Sequence, residues 1–547
     1  MSILKSDDNR VLAPAWYTSE EAIYSAELKA LNKKKVITPE FSSLNSLYDL
    51  FNEHPSFDLA LELFSVAFTE NSLEIAKQAA KFIIESGKVL PTTLTSFCEK
   101  VLDDENKTTI LDDNIKTQIK DKKNWLRKNP SDCLSWVDLS RLYMSIGQSK
   151  QAERAMIIGL GLSNDNRWVT RVSSRFFFHL EDYERSHSIL LRHPNINHDP
   201  WLLASELAIS NSYGRNSKFW LSAKKVLQIG YLPYHISELQ SSIGTLELKS
   251  GALKKAKLLF SNSLVHPNGN VFAQAKWAER KGNIKNLVHH EDLIKHHKAF
   301  EAKYQEAYYN RNMPLALSYA KQWLDEEPFN PKPAIHASYV ASLLDDYKQC
   351  RDISEKGLQI NPSDETLKLN LIFSKISLEH LEHNGVSAES YSQAIDTVES
   401  VIKNDDDETY PHAYANLGLL YYKTGDLTKG RQFYEIATEC FKKNNHPSFV
   451  LCELNHLREA LISNSPWKEE LFKSIEESLK LGGYWSEPCV SFYLEKLQKI
   501  RFTSKNWKVL LTENQSYRIE SKPVVPLRGK FDFSNQSPTI WLPPGKK

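Results

Sequence analysis

The sequence predicts an all-α chain, a right-handed α-solenoid of degenerate helical hairpins with an extended C-terminal tail. Residues 413–437, AYANLGLLYYKTGDLTKGRQFYEIA, place apolar side chains at helical spacing on both sides of the Gly425-Asp426 break. That is the pattern of two amphipathic helices joined by a tight turn. The same grid of small, large and glycine positions recurs upstream at intervals of about 34 residues. With 547 residues, the chain also exceeds the size at which one compact core stops growing, so several domains or an elongated array must carry it.

Taken in order, residues 1–111 form an N-terminal helical region that is either part of the array or its cap. Within it, SFDLALELFSVAFTENSLEIAKQAAKFII reads as paired helices without a turn glycine. Residues 112–440 are the expected solenoid. In WVDLSRLYMSIGQSKQAERAMIIGL, the positions Trp136, Leu139, Ser140, Tyr143, Gly147, Ala152 and Met156 repeat the grid in order. Phe177, Ser186 and Leu190 continue it more loosely, and Gly244, Gly251, Ala256 and Phe260 restore it. Downstream, Ala316, Ala320, Trp323 and Pro328 mark a further unit, and Cys350 and Pro362 stand 34 residues beyond Ala316 and Pro328. Gly147, Gly251 and Gly425 lie slightly more than whole periods apart, which places insertions near 212–218, 281–298 and 380–390. Residues 441–502 suit capping helices, the later one opened by Pro466. Residues 503–547 carry five prolines and no helical period, with Phe531, Phe533 and Trp541 either laid over the last helices or part of a disordered tail.

This order of residues resembles the tetratricopeptide repeat, a helix-turn-helix unit running Trp, Leu, Gly, Tyr and then Gly, Ala, aromatic and Pro. The resemblance implies that hairpins stack into an open superhelix, roughly eight to ten of them over the helical length. It also implies that the first helix of each hairpin lines a concave groove, where an asparagine just before the Leu-Gly pair bonds a bound peptide's backbone. Asn416 holds that place and Asn370 its equivalent in the unit starting near 365, although Asn416 could instead cap or bridge neighbouring helices. On the same footing Lys423 faces an acidic partner, and Asp138 and Arg141 take comparable positions in the early unit. The family's carboxylate clamp is not expected, because Thr366 and His446 stand where lysines would be needed.

The chemistry-bearing patterns point away from catalysis. No P-loop, Gly-x-Ser-x-Gly elbow, His-Glu-x-x-His or dinucleotide glycine string is present, so neither an enzyme nor a cofactor is expected. In HHEDLIKHH, His289, Asp292 and His296 share one helical face at spacings a divalent metal could use, but a polar helix or loop inserted between repeats is the favoured reading and no metal is expected. The 69 basic and 68 acidic side chains leave a net charge of +1, which argues against a phosphate-coating surface, so nucleic acid is not the expected partner. The basic runs at Lys33–Lys35 and in KDKKNWLRK, around Trp125, read as solvated helix faces. Six scattered cysteines suit reduced thiols in a cytoplasmic setting. No run approaches the roughly 18 apolar residues of a membrane span. The expected function is a non-catalytic protein-binding scaffold or adaptor that takes a protein or peptide segment into the concave face. An RNA-associated repeat protein and a regulatory subunit of an enzyme complex are the alternatives. The partner's identity and the oligomeric state stay open.

Overall fold

The computed structural model describes residues 44–69, 72–87, 98, 101–102, 112–162, 165–231, 233–282, 284–296, 298–403, 411–443, 448–481 and 487–499. The expected tail at 503–547 and the Lys33–Lys35 run lie outside the described residues. Twenty-five helices and no strand occur among the described residues, and the fold is an all-α repeat solenoid. Its contacts group into two compact units. Among the described residues, an N-terminal unit comprises 44–303 with Glu326–Phe329, and a C-terminal unit comprises Tyr304–Asp325 and 330–499.

In the N-terminal unit, α1 (Leu44–Glu53) packs on the hairpin of α2 (Phe57–Thr69) and α3 (Leu73–Glu85). Leu47, Phe51, Leu63, Phe64 and Ile83 build their shared core, with Phe51 set edge-on to Phe82 at 5.2 Å. Then α4 (Asp112–Lys128) leans on the hairpin of α5 (Cys133–Ser145) and α6 (Ser149–Leu162). The hairpins of α7 (Arg167–His179) with α8 (Tyr183–Leu191) and α9 (Pro200–Ser212) with the short α10 (Trp220–Val226) follow. Next come α11 (Pro233–Lys249) with α12 (Leu253–Ser263), then α13 (Gly269–Lys281) and the inserted α14 (His290–Lys295).

The chain passes to the C-terminal unit within α15 (Phe300–Tyr309), which precedes α16 (Met313–Glu326). Four hairpins then follow: α17 (Pro331–Leu343) with α18 (Tyr347–Ile360), α19 (Glu365–His383) with α20 (Ala388–Lys403), α21 (Pro411–Thr424) with α22 (Leu427–Lys443), and α23 (Ser448–Ile462) with α24 (Lys468–Leu481). The last helix is α25 (Pro488–Lys499).

One turn design closes most of these hairpins. A residue of positive φ ends the first helix, and the amide after it donates to the carbonyl five residues back, the Schellman arrangement. At Gly425 the φ is 89°, and Asp426 N donates to Tyr421 O at 2.9 Å. The same geometry holds with Glu181 (φ 63°), Arg311 (φ 62°), Asp345 (φ 59°) and Asn464 (φ 53°) in the glycine's place. There the bonds run from Asp182 N to Phe177 O, Asn312 N to Ala307 O, Asp346 N to Ala341 O and Ser465 N to Ala460 O. The following residue then starts the second helix, as where Asp182 and Asp346 accept from Arg185 N and Gln349 N. A missing turn glycine therefore does not break the array.

Between helices, small residues face large ones. A Cβ at Gly418 would meet the Tyr434 ring at 2.6 Å, and one at Gly430 would meet the Tyr422 ring at 2.6 Å, so α21 and α22 interlock in both directions. Tyr434 fills this space, being 3% exposed. Tyr421 on α21 stacks on Phe433 of α22 at 5.3 Å and adds a second aromatic contact between the two helices.

Candidate functional site

In the C-terminal unit the first helices of successive hairpins bring three asparagines to one recess. Asn370 on α19, Asn416 on α21 and Asn455 on α23 line it together with Ser342, Leu343, Phe373 and Tyr493. Asn370 Nδ2 donates to Ser338 Oγ at 3.0 Å, which ties α19 to α17. Asn455 Nδ2 donates to Leu451 O at 2.9 Å, and its Oδ1 accepts from Tyr493 Oη at 2.7 Å. Asn416 is 3% exposed and Nδ2 donates to His412 O, one turn back, at 2.9 Å. Its Oδ1 is buried with no hydrogen-bond partner. A buried amide oxygen without a donor costs about 1–3 kcal/mol, so the recess presents an acceptor that a ligand N–H or a water would satisfy. None of the lining side chains is charged.

The charges around the recess are neutralised within the protein. Lys423 Nζ lies 2.7 Å from Glu459 Oε2, with the two side chains 9% and 3% exposed, so this lysine joins α21 to α23. Arg458 Nη2 lies 3.0 Å from Asp345 Oδ1 and also donates to Tyr347 Oη. Lys496 Nζ lies 2.6 Å from Asp345 Oδ2, and burial, opposed by Asp345, brings its pKa down to about 8. On α23, burial and then the Arg431 charge bring His456 down to about 3, and its Nε2 is 3.0 Å from Tyr422 Oη.

The remaining residues singled out in the sequence lie in the N-terminal unit. Asp138 on α5 is 7% exposed and 3.1 Å from Lys122 Nζ on α4. Arg141 is half-buried one turn further along α5. Sequence reasoning missed the neighbouring arginine ladder on α7. Arg167 lies 2.7 Å from Asp199, Arg171 pairs with Glu238 and donates to Ser205 Oγ at 3.0 Å, and Arg175 meets Glu327 at 2.5 Å. Glu238 also accepts from Asn268 Nδ2 at 2.7 Å. The four-residue spacing of these arginines put them on one helical face and was the available signal.

His289 precedes α14 and is exposed, whereas His296 packs edge-on against Phe272 at 5.3 Å. No group of three potential ligands among the described residues is placed to hold a metal ion. The six cysteines are free, and burial pushes the Cys350 and Cys452 thiols up to about 12. No described helix is long and apolar enough to cross a membrane.

Stacked hairpins with side chains converging on their first helices define a helical-repeat scaffold. Residues 411–440, which are α21 and most of α22, match the family model described as "Tetratricopeptide repeat". The match covers this one hairpin of the array, whose helical-hairpin architecture continues on both sides of it. No curated protein matches it. Solved structures similar to it include the human IFIT1 dimer with PPP-AAAA, at 11% identity over 74% of this chain and 95% of that one, with a TM-score of 0.28. Yeast Tom70 is also similar at 11% identity, covering 86% and 99% with a TM-score of 0.27. So is the APC/C hetero-tetramer Cut9-Hcn1, at 11% identity, 93% and 100% coverage and a TM-score of 0.28. Likeness at that level transfers no ligand or partner to this chain.

Proposed function

We propose that this protein is a non-catalytic scaffold or adaptor of the cytoplasm that takes a protein segment into the groove of its C-terminal unit. The observation that carries the proposal is the uncharged amide row Asn370, Asn416 and Asn455, with Asn416 Oδ1 left as a buried acceptor at its centre. Amides on successive helices suit the uncharged hydrogen-bonding groups of a protein segment better than a phosphate or a free carboxylate, which would call for cations. Lys423 enters the proposal as a groove residue already held by Glu459, positioned beside a partner rather than free to capture it, whereas Asp138, paired with Lys122, and Arg141 are proposed as partner-facing positions of the N-terminal unit.

The test is Asn416→Ala. It removes one hydrogen bond worth about 0.5–1.5 kcal/mol and also an unpaired acceptor costing about 1–3 kcal/mol, so stability should hold or rise slightly. Capture of partners from the native host, read by mass spectrometry, should fall with the melting temperature unchanged. Equal loss of both would make Asn416 a purely structural residue. Oligonucleotide binding at two salt concentrations is the parallel control, and tight, steeply salt-dependent binding would overturn the proposal in favour of a nucleic-acid partner.

A further inference from the structure

The last helix does not continue the stack. The first helices α19, α21 and α23 each pack on the hairpin before them, as α23 packs on both α21 and α22. By contrast, α25 lies along α23 and reaches back to the end of α17. Lys496 Nζ donates to Leu343 O at 2.6 Å, across 153 residues of sequence, and pairs with Asp345 in the turn after α17. Tyr493 Oη donates to Asn455 Oδ1 and receives Arg458 Nη1 at 3.3 Å, so its ring forms a wall of the recess that holds Asn416. Val490, Tyr493, Leu494 and Leu497 are each no more than 2% exposed. They stand at i, i+3, i+4 and i+7, the anchor spacing of an amphipathic helix seated in a groove.

We infer that this groove is a receptor for an amphipathic helix, and that Pro488–Lys499 is its resident, displaceable occupant. The inference rests on the groove reading above and sharpens it, because the partner becomes a helix with the same anchor spacing and a cation one turn past its aromatic anchor. Two features support exchange. A helix of 12 residues is marginal on its own, so α25 gains its order from the groove and can leave as a unit. The groove is also largely complete without it, since Asn370 bonds Ser338, Asn416 bonds His412 O and Lys423 bonds Glu459 independently of α25.

Two measurements on the full chain test this. The first is hydrogen exchange on the wild-type protein, where the amides of α25 should exchange at least about ten-fold faster than those of α23. Exchange of both helices in one cooperative step would overturn the inference, since α25 would then leave only on unfolding. The second is binding of a fluorescent peptide of residues 487–499 to wild type and to the Tyr493→Ala, Leu494→Ala, Lys496→Ala triple variant. The variant, with its own helix weakened, should bind the peptide about ten-fold or more tightly than wild type, and a Tyr493→Ala peptide should lose most of that affinity. Equal binding to both chains, or none to a variant that keeps the wild-type helical spectrum, would overturn it. If the variant does not fold, the exchange experiment alone decides. Loss of peptide binding while Asn416-dependent capture persists would reject the helical occupant and leave the scaffold proposal standing. Loss of Asn416 dependence would reject that proposal itself.

Discussion

The pair between Lys423 and Glu459 offers the sharpest energetic prediction. At 2.7 Å, unit charges attract by about 6 kcal/mol at an effective dielectric of 20, most of which offsets the cost of removing both groups from water. Removing one partner leaves the other buried and unpaired, at a cost of about 3–5 kcal/mol. Glu459→Gln retains an acceptor oxygen and should fall near the lower end of that range, and Lys423→Met near its middle. The double variant removes both charges and should be no less stable than the milder single variant, giving a coupling energy of at least about 4 kcal/mol in a double-mutant cycle. Urea denaturation followed by circular dichroism is a sufficient assay. If Lys423→Met leaves stability unchanged, the lysine is not a structural partner of Glu459. If it also weakens partner capture, Lys423 acts as a groove cation.

Gly418→Ala should destabilise the C-terminal unit by about 1–3 kcal/mol, because its Cβ would stand 2.6 Å from the Tyr434 ring, and Tyr434→Leu in the same chain should relieve part of the loss in thermal melts. Glu181→Gly should stabilise by up to about 1 kcal/mol in urea denaturation, because φ 63° strains a side-chain-bearing residue. Two histidines set an acid limit. His235 in the N-terminal unit is lowered to about 4 and His456 in the C-terminal unit to about 3, burial being the first cause of each. Because the folded pKa values lie below the unfolded value of about 6.5, the unfolded chain binds more protons between the two limits and stability falls with pH across that window. Each unit should lose about 2 kcal/mol between pH 6.5 and pH 5 from its histidine, and His456→Phe should flatten the slope of the C-terminal unit in pH-dependent denaturation.

Much of the scaffold could be read directly from the residues. Gly418, Gly425 and Tyr434 announce a hairpin because close approach, a left-handed turn and a filling ring each demand a particular residue type. Glu181, Arg311 and Asp345 hide the same turn, since the Schellman bonds use backbone groups and tolerate a strained side chain when the flanking helices fix the geometry. The site was less legible for a related reason. The resemblance placed Asn370 and Asn416 on first helices, but Asn455 fell beyond the stretch where the repeat pattern is strong. The commitment of Lys423 depends on Glu459 in the next hairpin, which no local pattern reveals. The ladder of Arg167, Arg171 and Arg175 showed its helical spacing, whereas its acids come from Asp199, Glu238 and Glu327 on separate segments. The reach of α25 back to Leu343 is a contact between distant parts of the chain, and the division into two units near Lys303 follows such contacts as well.

The most direct test of the groove as a recruitment surface is site-specific photocrosslinking in the native host. A photoreactive phenylalanine analogue is placed at Phe373, in the recess, and at Ile436, which is 41% exposed on the second helix of its hairpin. A defined protein adduct at position 373 that disappears with Asn416→Ala, and is absent at position 436, is the predicted result. Adducts at position 436 alone, or adducts at position 373 that ignore Asn416→Ala, would contradict the account.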